Sequence, residues 1–379
     1  MVLALPPLSL YIHIPWCIKK CPYCDFNSHV TDSVIPEADY VRAVIEDLKA
    51  DLPWVQGRKL HSIFFGGGTP SLFSGFAIGA ILKEAEHLIG FEADAEITLE
   101  ANPGVMDQQN FSDLYAAGVN RLSIGIQSFN DVHLNSLGRI HGSHDALSAI
   151  DIAQSSGFRN FNLDLMHGLP NQSIASAIND IEIAVNSGAS HISWYQLTIE
   201  PNTEFFSHPP ALPVEDRLAE IQQLGLNVIK SNNYRQYEVS AFAKDRQESR
   251  HNVNYWQFGD YLGIGAGAHG KITILEENQL IRTTKTRQPK DYLNRVGRPL
   301  ARKIEISKED IVLEFMMNGL RLKAGIPVHY LSMRTGVDEK SIEQKVSKLQ
   351  SQGLMEPSAV RYQTTSLGYQ FLNTVLQSF

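Results

Sequence analysis

Cysteine is scarce in this chain of 379 residues: there are three, and they fall together as Cys17, Cys21 and Cys24. An odd count, with no sign of an oxidising compartment, argues against a disulfide framework. Long apolar runs are missing too, and no stretch has the length needed to span a bilayer. Positive charge is in deficit, with 33 Lys and Arg against 41 Asp and Glu and a formal net charge of −8. The chain therefore lacks the global basic field of a nucleic-acid-binding protein. Its opening, Met1-Val-Leu-Ala-Leu-Pro-Pro-Leu, has no cationic start and runs straight into the cysteine segment, unlike a cleaved leader. Neither solenoid-period repeats nor low-complexity stretches occur. These absences lead us to expect a cytoplasmic, soluble globular protein with no membrane span and no nucleic-acid partner. Length favours two domains over one.

What is present begins with a repeated pattern. Short apolar runs at Leu8–Pro15, Leu60–Phe65, Ala95–Glu100, Arg121–Ile126, Phe161–Met166 and His191–Leu197 alternate with segments of helical spacing at Ala38–Leu52, Phe76–Ile89, Gln108–Ala116, Asp145–Ser155 and Ser173–Asn186. Alternation of this kind implies parallel strands with right-handed crossovers, and about six units suit a partial β/α barrel. In such a barrel the loops after the strands build the functional site. The pattern loosens after Pro201, and Tyr255–Gly270 reads as a glycine-rich connection. Further breaks fall at Gln288-Pro289 and Gly297-Arg298-Pro299. From Lys308 onward the spacing predicts short helices at Asp310–Leu320, Pro327–Arg334 and Asp338–Gln352, then a strand pair within Ser358–Thr365 and a last helix. Helices followed by a ribbon resemble a winged helix. Basic and acidic residues nearly balance over 301–379, which favours a docking or lid domain over a DNA reader. The expected organisation is α/β: a partial barrel over 1–240, a connecting segment over 241–300, and a small, mainly helical C-terminal domain over 301–379.

The cysteines follow directly on the first predicted strand, as C-x₃-C-x₂-C. Three thiolates supply one metal centre. Zinc would need a fourth ligand, for which His13 or His29 is near enough in sequence. An iron–sulfur cluster held by three thiolates would leave one iron open to an outside ligand. At the end of the second run, Gly66-Gly67-Gly68-Thr69-Pro70 removes three successive Cβ atoms so that a ligand can approach the backbone, and it lacks the lysine and spacing of a phosphate loop. Glu100, Gln127 and Asp164 mark the third, fourth and fifth runs. Arg139 adds a fork-shaped cation suited to a carboxylate, while Tyr11 and Tyr23 flank the cysteine segment.

C-x₃-C-x₂-C after a first strand resembles the signature of the radical S-adenosylmethionine family. In that family three thiolates hold a [4Fe–4S] cluster, the open iron takes the amino and carboxylate groups of S-adenosylmethionine, and one electron cleaves the sulfonium to give a 5′-deoxyadenosyl radical. The resemblance narrows through Tyr-Ile-His-Ile-Pro-Trp-Cys, Cys-Pro-Tyr-Cys-Asp-Phe-Asn-Ser, Gly-Gly-Gly-Thr-Pro-Ser, Glu-Ala-Asn-Pro, Ser-Ile-Gly-Ile-Gln-Ser-Phe, Asp-Leu-Met-His-Gly-Leu-Pro and His251-Asn252-Val-Asn-Tyr255-Trp256. Together these look like the HemW heme chaperones, relatives of the oxygen-independent coproporphyrinogen III dehydrogenase HemN. The resemblance implies S-adenosylmethionine contacts at Tyr11, Tyr23, Gly68, Thr69, Glu100, Gln127, Arg139 and Asp164, with Cys17, Cys21 and Cys24 as cluster ligands. It also implies heme as cargo and apo-heme proteins, respiratory ones among them, as acceptors.

Two departures separate the chain from the dehydrogenases. Their fourth cysteine is Phe26 here, and the extension that precedes their cluster is not seen ahead of Cys17. Both argue against the decarboxylase reaction, which stands as the alternative function. His251, beside Tyr255 and Trp256, is the candidate heme ligand, and His269 is its rival. Peripheral membrane association through an acceptor is compatible with this sequence, and oligomeric state is left open.

Overall fold

Most central strands alternate apolar residues with polar ones, yet both sets are largely buried. In β1 (Leu8–Ile14), Leu8, Leu10, Ile12 and Ile14 are fully buried against the helices, while Ser9, Tyr11 and His13 occupy the opposite face. Parallel strands covered on both sides usually read as continuous apolar runs. The polar set here therefore implies a concave face that encloses a polar space. The computed structural model describes residues 3–31, 34–104, 107–295, 297, 300–307 and 309–379.

β1 is followed by β2 (Leu60–Gly67), β3 (Phe91–Ala101), β4 (Arg121–Gln127), β5 (Phe161–His167) and β6 (His191–Gln196), all parallel and adjacent in order. The connecting helices are α1 (Glu37–Asp51), α2 (Gly75–Leu88), α3 (Gln108–Ala116), α4 (Ser143–Ser155) and α5 (Ile174–Asn186). Side-chain caps start three of them: Ser74 accepts from Ala77 N, Asp107 from Asn110 N, and Ser173 from Ser176 N. A longer helix, α6 (Glu215–Ser231), packs beside α5. Two short strands, β7 (Arg235–Gln236) and β8 (Ala241–Ala243), then finish one edge antiparallel.

The segment 241–300, expected as a connection, contributes to the sheet instead. After α7 (Arg250–Trp256), β9 (Asp260–Ile264) runs parallel to the free side of β1, and β10 (His269–Ile274), β11 (Gln279–Lys285) and β12 (Leu300–Glu305) extend that edge antiparallel. The result is a 12-stranded sheet in the order β12-β11-β10-β9-β1-β2-β3-β4-β5-β6-β8-β7. It is an open, partial barrel among the described residues. Glycines that look like breakers allow strands to cross closely: a Cβ on Gly263 would stand 1.9 Å from the His269 carbonyl oxygen. Of the other predicted breaks, Pro289 starts a short helix, Pro289–Leu293, whereas Arg298 and Pro299 lie outside the described residues.

Two buried charge clusters lock this edge. Lys285 Nζ lies 2.5 Å from Asp47 and 2.8 Å from Asp51, both on α1. Asp260 meets Arg58 at 2.8 Å and Lys271 at 2.9 Å.

The C-terminal part has a core of its own around Phe315, Met316, Leu320, Leu331 and Leu349. Its helices include Ile311–Gly319, His329–Thr335 and Glu343–Ser351. The ribbon differs from expectation: Arg361–Tyr362 pairs with Ile326–Pro327 rather than within 358–365, and an isolated bridge joins Thr364 to Met355. No helix among the described residues is long and apolar enough to cross a membrane.

Candidate cofactor site

The cysteine loop is tied at both ends. Trp16–Cys17 pairs in parallel with His29–Val30, and Asn27 Nδ2 donates to the carbonyls of Ala266 and Arg287. Cys17, Cys21 and Cys24 are free, partly buried thiols on the rim of a cavity of about 440 Å³ inside the partial barrel. Each sulfur has a polar group beside it. Thr69 Oγ1 lies 3.6 Å from Cys17, Arg139 3.7 Å from Cys21, and Ser28 Oγ 3.9 Å from Cys24.

Zinc does not suit this arrangement. Among the described residues, no group of three or more His, Cys, Asp or Glu side chains is placed to hold one metal ion. His13 is already engaged: its Nε2 donates to the Asn27 carbonyl at 2.9 Å, so Nδ1 accepts from the Tyr11 hydroxyl at 3.0 Å. Closed zinc sites bring four ligands within about 2.3 Å of one ion. A multi-iron cluster takes its thiolates on different irons, and three thiols on one cavity rim suit it.

The strand ends bring the other expected residues together. Tyr23, Gly68, Thr69, Glu100, Gln127, Arg139 and Asp164 all line the cavity with the cysteines. Tyr11 does not line it and packs instead against Phe64 and His13. Gly68 must be glycine, because a Cβ there would stand 2.5 Å from the Trp16 carbonyl oxygen. Gly67 N donates to Glu100 at 3.1 Å. Gln127 holds φ at 69°, an uncommon value for a side-chain-bearing residue, and its Oε1 accepts from the Tyr195 hydroxyl at 2.8 Å. Asp164 accepts from Asn162 Nδ2 at 2.8 Å and Ser123 Oγ at 3.1 Å. Burial, then the charge of Asp164, pushes Glu100 up to about 8. Burial likewise raises Asp164, against the hydrogen bonds it accepts. Two desolvated carboxyls so placed favour a ligand that carries a cation.

Asn102 was not singled out from the sequence, although it stands two residues after Glu100. Its amide nitrogen donates to Thr69 Oγ1 at 3.0 Å, and its oxygen accepts from Arg139 at 2.8 Å. One side chain thus fixes two candidate ligand contacts. Tyr195, at the end of β6, was also missed.

His251 is placed differently from its expected role. It sits in α7, whose first N–H groups donate to Glu96 on β3, and is 7% exposed, with Nδ1 3.1 Å from Ser62 Oγ and its ring against Phe64. It does not line the cavity; its neighbour Asn252 does. Burial brings the imidazole down to about 3. Tyr255 packs on Tyr261, and Trp256 lies under the Arg321 guanidinium of the C-terminal part, so these aromatics are engaged in packing. His269 is exposed, 3.4 Å from Thr284 Oγ1. Phe26, where the dehydrogenases carry a further cysteine, is 61% exposed on the cavity rim.

Comparison with known proteins places the chain in a family. Residues 11–184 match the Radical SAM superfamily and residues 306–371 the HemN C-terminal domain. The chain is 48% identical to the heme chaperone HemW of Haemophilus influenzae, over 99% of this chain and 98% of that protein. It is 48% identical to HemW of Escherichia coli with the same coverages, and 33% identical to HemW of Bacillus subtilis over 98% of each. Among solved structures, the coproporphyrinogen III oxidase HemN of Escherichia coli superposes with a TM-score of 0.83 at 22% identity, covering 99% of this chain and 90% of that one, a likeness of fold. The chain belongs to the HemW family of the Radical SAM superfamily.

Proposed function

We propose that this chain is a cytoplasmic heme chaperone that binds heme and delivers it to heme-dependent respiratory proteins, with a [4Fe–4S] cluster and S-adenosylmethionine seated in the partial barrel. The observation that carries this reading is full-length similarity to proteins named heme chaperone HemW at 48% identity. Cys17, Cys21 and Cys24 would hold the cluster, which when bound supplies an electron and an open iron.

The chain's own residues bind and orient. Arg139, fixed by Asn102 and the Gly125 carbonyl, presents a guanidinium for the S-adenosylmethionine carboxylate. The backbone at Gly68 and Thr69 can be approached closely because no Cβ intervenes at Gly68. Glu100, Gln127 and Asp164 offer acceptors for the remaining polar groups, and Tyr23, half-buried beside Cys21, covers part of the rim. Tyr11 acts one layer back by holding His13, which in turn holds the loop at Asn27.

Position 26 weighs against the dehydrogenase alternative, because an exposed phenylalanine replaces the thiol there. The test uses protein whose cluster has been reconstituted anaerobically. Wild type should retain heme, Cys17→Ala should lose the visible absorption of the cluster, and coproporphyrinogen III with reductant and S-adenosylmethionine should remain unconverted. Formation of protoporphyrinogen would overturn the chaperone assignment in favour of the dehydrogenase.

A further inference from the structure

The base of the cavity contains a buried cation, Arg121, which Glu96 and Asp164 oppose through space without a hydrogen bond. Arg121, the first residue of β4, is 2% exposed, lines the cavity, and has a buried Nε without a hydrogen-bond partner. Its carboxylate neighbour, Glu96, stands 3.9 Å away, beyond hydrogen-bond reach. Glu96 is held elsewhere, accepting from Ser249 Oγ at 3.4 Å and from the backbone N–H groups of Arg250 and His251 at 3.0 and 3.2 Å.

The polar groups around Arg121 are likewise occupied with one another. His191 Nδ1 donates to Asn162 Oδ1 at 2.6 Å, so its Nε2 accepts from the Tyr237 hydroxyl at 2.9 Å. Ser123 Oγ donates to Asp164 and Ser193 Oγ to Asn162. Burial chiefly holds His191 and His251 below the usual histidine range, with the charge of Arg121 adding to it at His191, and His61 and then Arg121 at His251. A desolvated guanidinium facing open space is costly unless an anion meets it.

We propose that the cavity base is a carboxylate-binding subsite, in which Arg121, with Asn252 lining the same cavity, receives a carboxylate of a ligand that enters past the cysteine loop. The planar fork of a guanidinium matches a carboxylate in two parallel hydrogen bonds, which a point charge cannot do. The subsite lies at the opposite end of the strands from Arg139, and one carboxylate at each end is compatible with S-adenosylmethionine and a second ligand being bound together. That the carboxylate is a propionate of heme rests on the chaperone reading; that the base takes a carboxylate does not.

The test is calorimetric titration of sodium propionate into cluster-loaded protein under anaerobic conditions with saturating S-adenosylmethionine. Propionate should bind in the presence of S-adenosylmethionine, and Arg121→Met should weaken it by about tenfold or more, the value of a charge-assisted hydrogen bond. Glu96→Gln, which removes the competing carboxylate, should tighten it. Retained cluster absorption and circular dichroism establish that the variants fold, and Glu96→Gln decides the matter if Arg121→Met does not. Absence of binding, equal binding to Arg121→Met, or displacement of S-adenosylmethionine by propionate would overturn the subsite.

A second arm compares heme with its dimethyl ester. Selective loss of affinity for the ester in wild type, absent in Arg121→Met, identifies the propionate of the cargo as the occupant. Equal binding of heme and ester, with Arg121-dependent binding of propionate, identifies a free organic acid in the same subsite. If heme does not bind at all, the chaperone reading fails while the propionate arm still decides the subsite.

Discussion

Replacing His251 by alanine separates a packing role from a ligand role. The imidazole is neutral at pH 7, since burial brings it down to about 3, and it is bound to Ser62 Oγ at 3.1 Å. Ser62 keeps a second partner in Ser9 Oγ at 2.7 Å, so truncation leaves no orphaned hydroxyl. The lost hydrogen bond costs about 1 kcal/mol. The ring also fills space beneath Phe64 at 5.1 Å and Tyr11 at 6.5 Å, and a cavity there adds about 2 kcal/mol. His251→Ala should therefore destabilise the metal-free protein by about 3 kcal/mol in urea unfolding followed by tryptophan fluorescence. His251→Asn, whose amide can reach Ser62, should recover about 1 kcal/mol of that. Under folded conditions, heme titration of both cluster-loaded variants should match wild type. Wild-type stability combined with lost heme binding in His251→Ala would refute the reasoning and restore the histidine as an axial ligand.

Three further outcomes follow from other parts of the molecule. Asn102→Ala frees Thr69 and Arg139 together and should weaken S-adenosylmethionine binding by about tenfold, measured by anaerobic equilibrium dialysis; an unchanged affinity would show that neither contact matters. Lys285→Met leaves Asp47 and Asp51 buried without their cation and should cost about 3–5 kcal/mol in urea unfolding, more at pH 8 than at pH 5 because the carboxyls can protonate at the lower pH. Stability of the ligand-free wild type should peak between about pH 6 and 7. Glu100 at about 8 and Asp51 at about 7 lie above their unfolded values, so the folded state holds extra protons and loses stability as pH rises towards 8. His13, His141 and His167 at about 4 and His251 at about 3 lie below theirs, so stability falls again as pH drops below 6.5. A urea midpoint that rises steadily from pH 6.5 to 8 would contradict that balance.

The first six strands and their helices could be read from the sequence because each strand carries two periodic signals. In β4, Leu122, Ile124 and Ile126 alternate with Arg121, Ser123, Gly125 and Gln127, and the second set lines the cavity. That alternation marked the strand and also the face that bears the site. The cysteines stood out through rarity and spacing. The edge formed by β9 to β12 was hidden because its glycines look like breakers, and their use in close strand crossing depends on partners far away in sequence. His251 and Trp256 were hard to place for a related reason. Their motif has the residue types of a heme pocket, but α7 turns His251 towards Ser62 and Trp256 towards Arg321, contacts set by elements far from the motif along the chain.

Transfer of heme tests the central claim most directly. Cluster-loaded protein, charged with stoichiometric heme and S-adenosylmethionine under anaerobic conditions and freed of unbound heme, is mixed with an apo-cytochrome while Soret absorption is followed. The account predicts that the chain keeps its heme until the acceptor is added and that the spectrum then becomes that of the holo-cytochrome. A chain that retains no heme after removal of the unbound fraction, or that keeps it while the acceptor stays empty, would contradict the account.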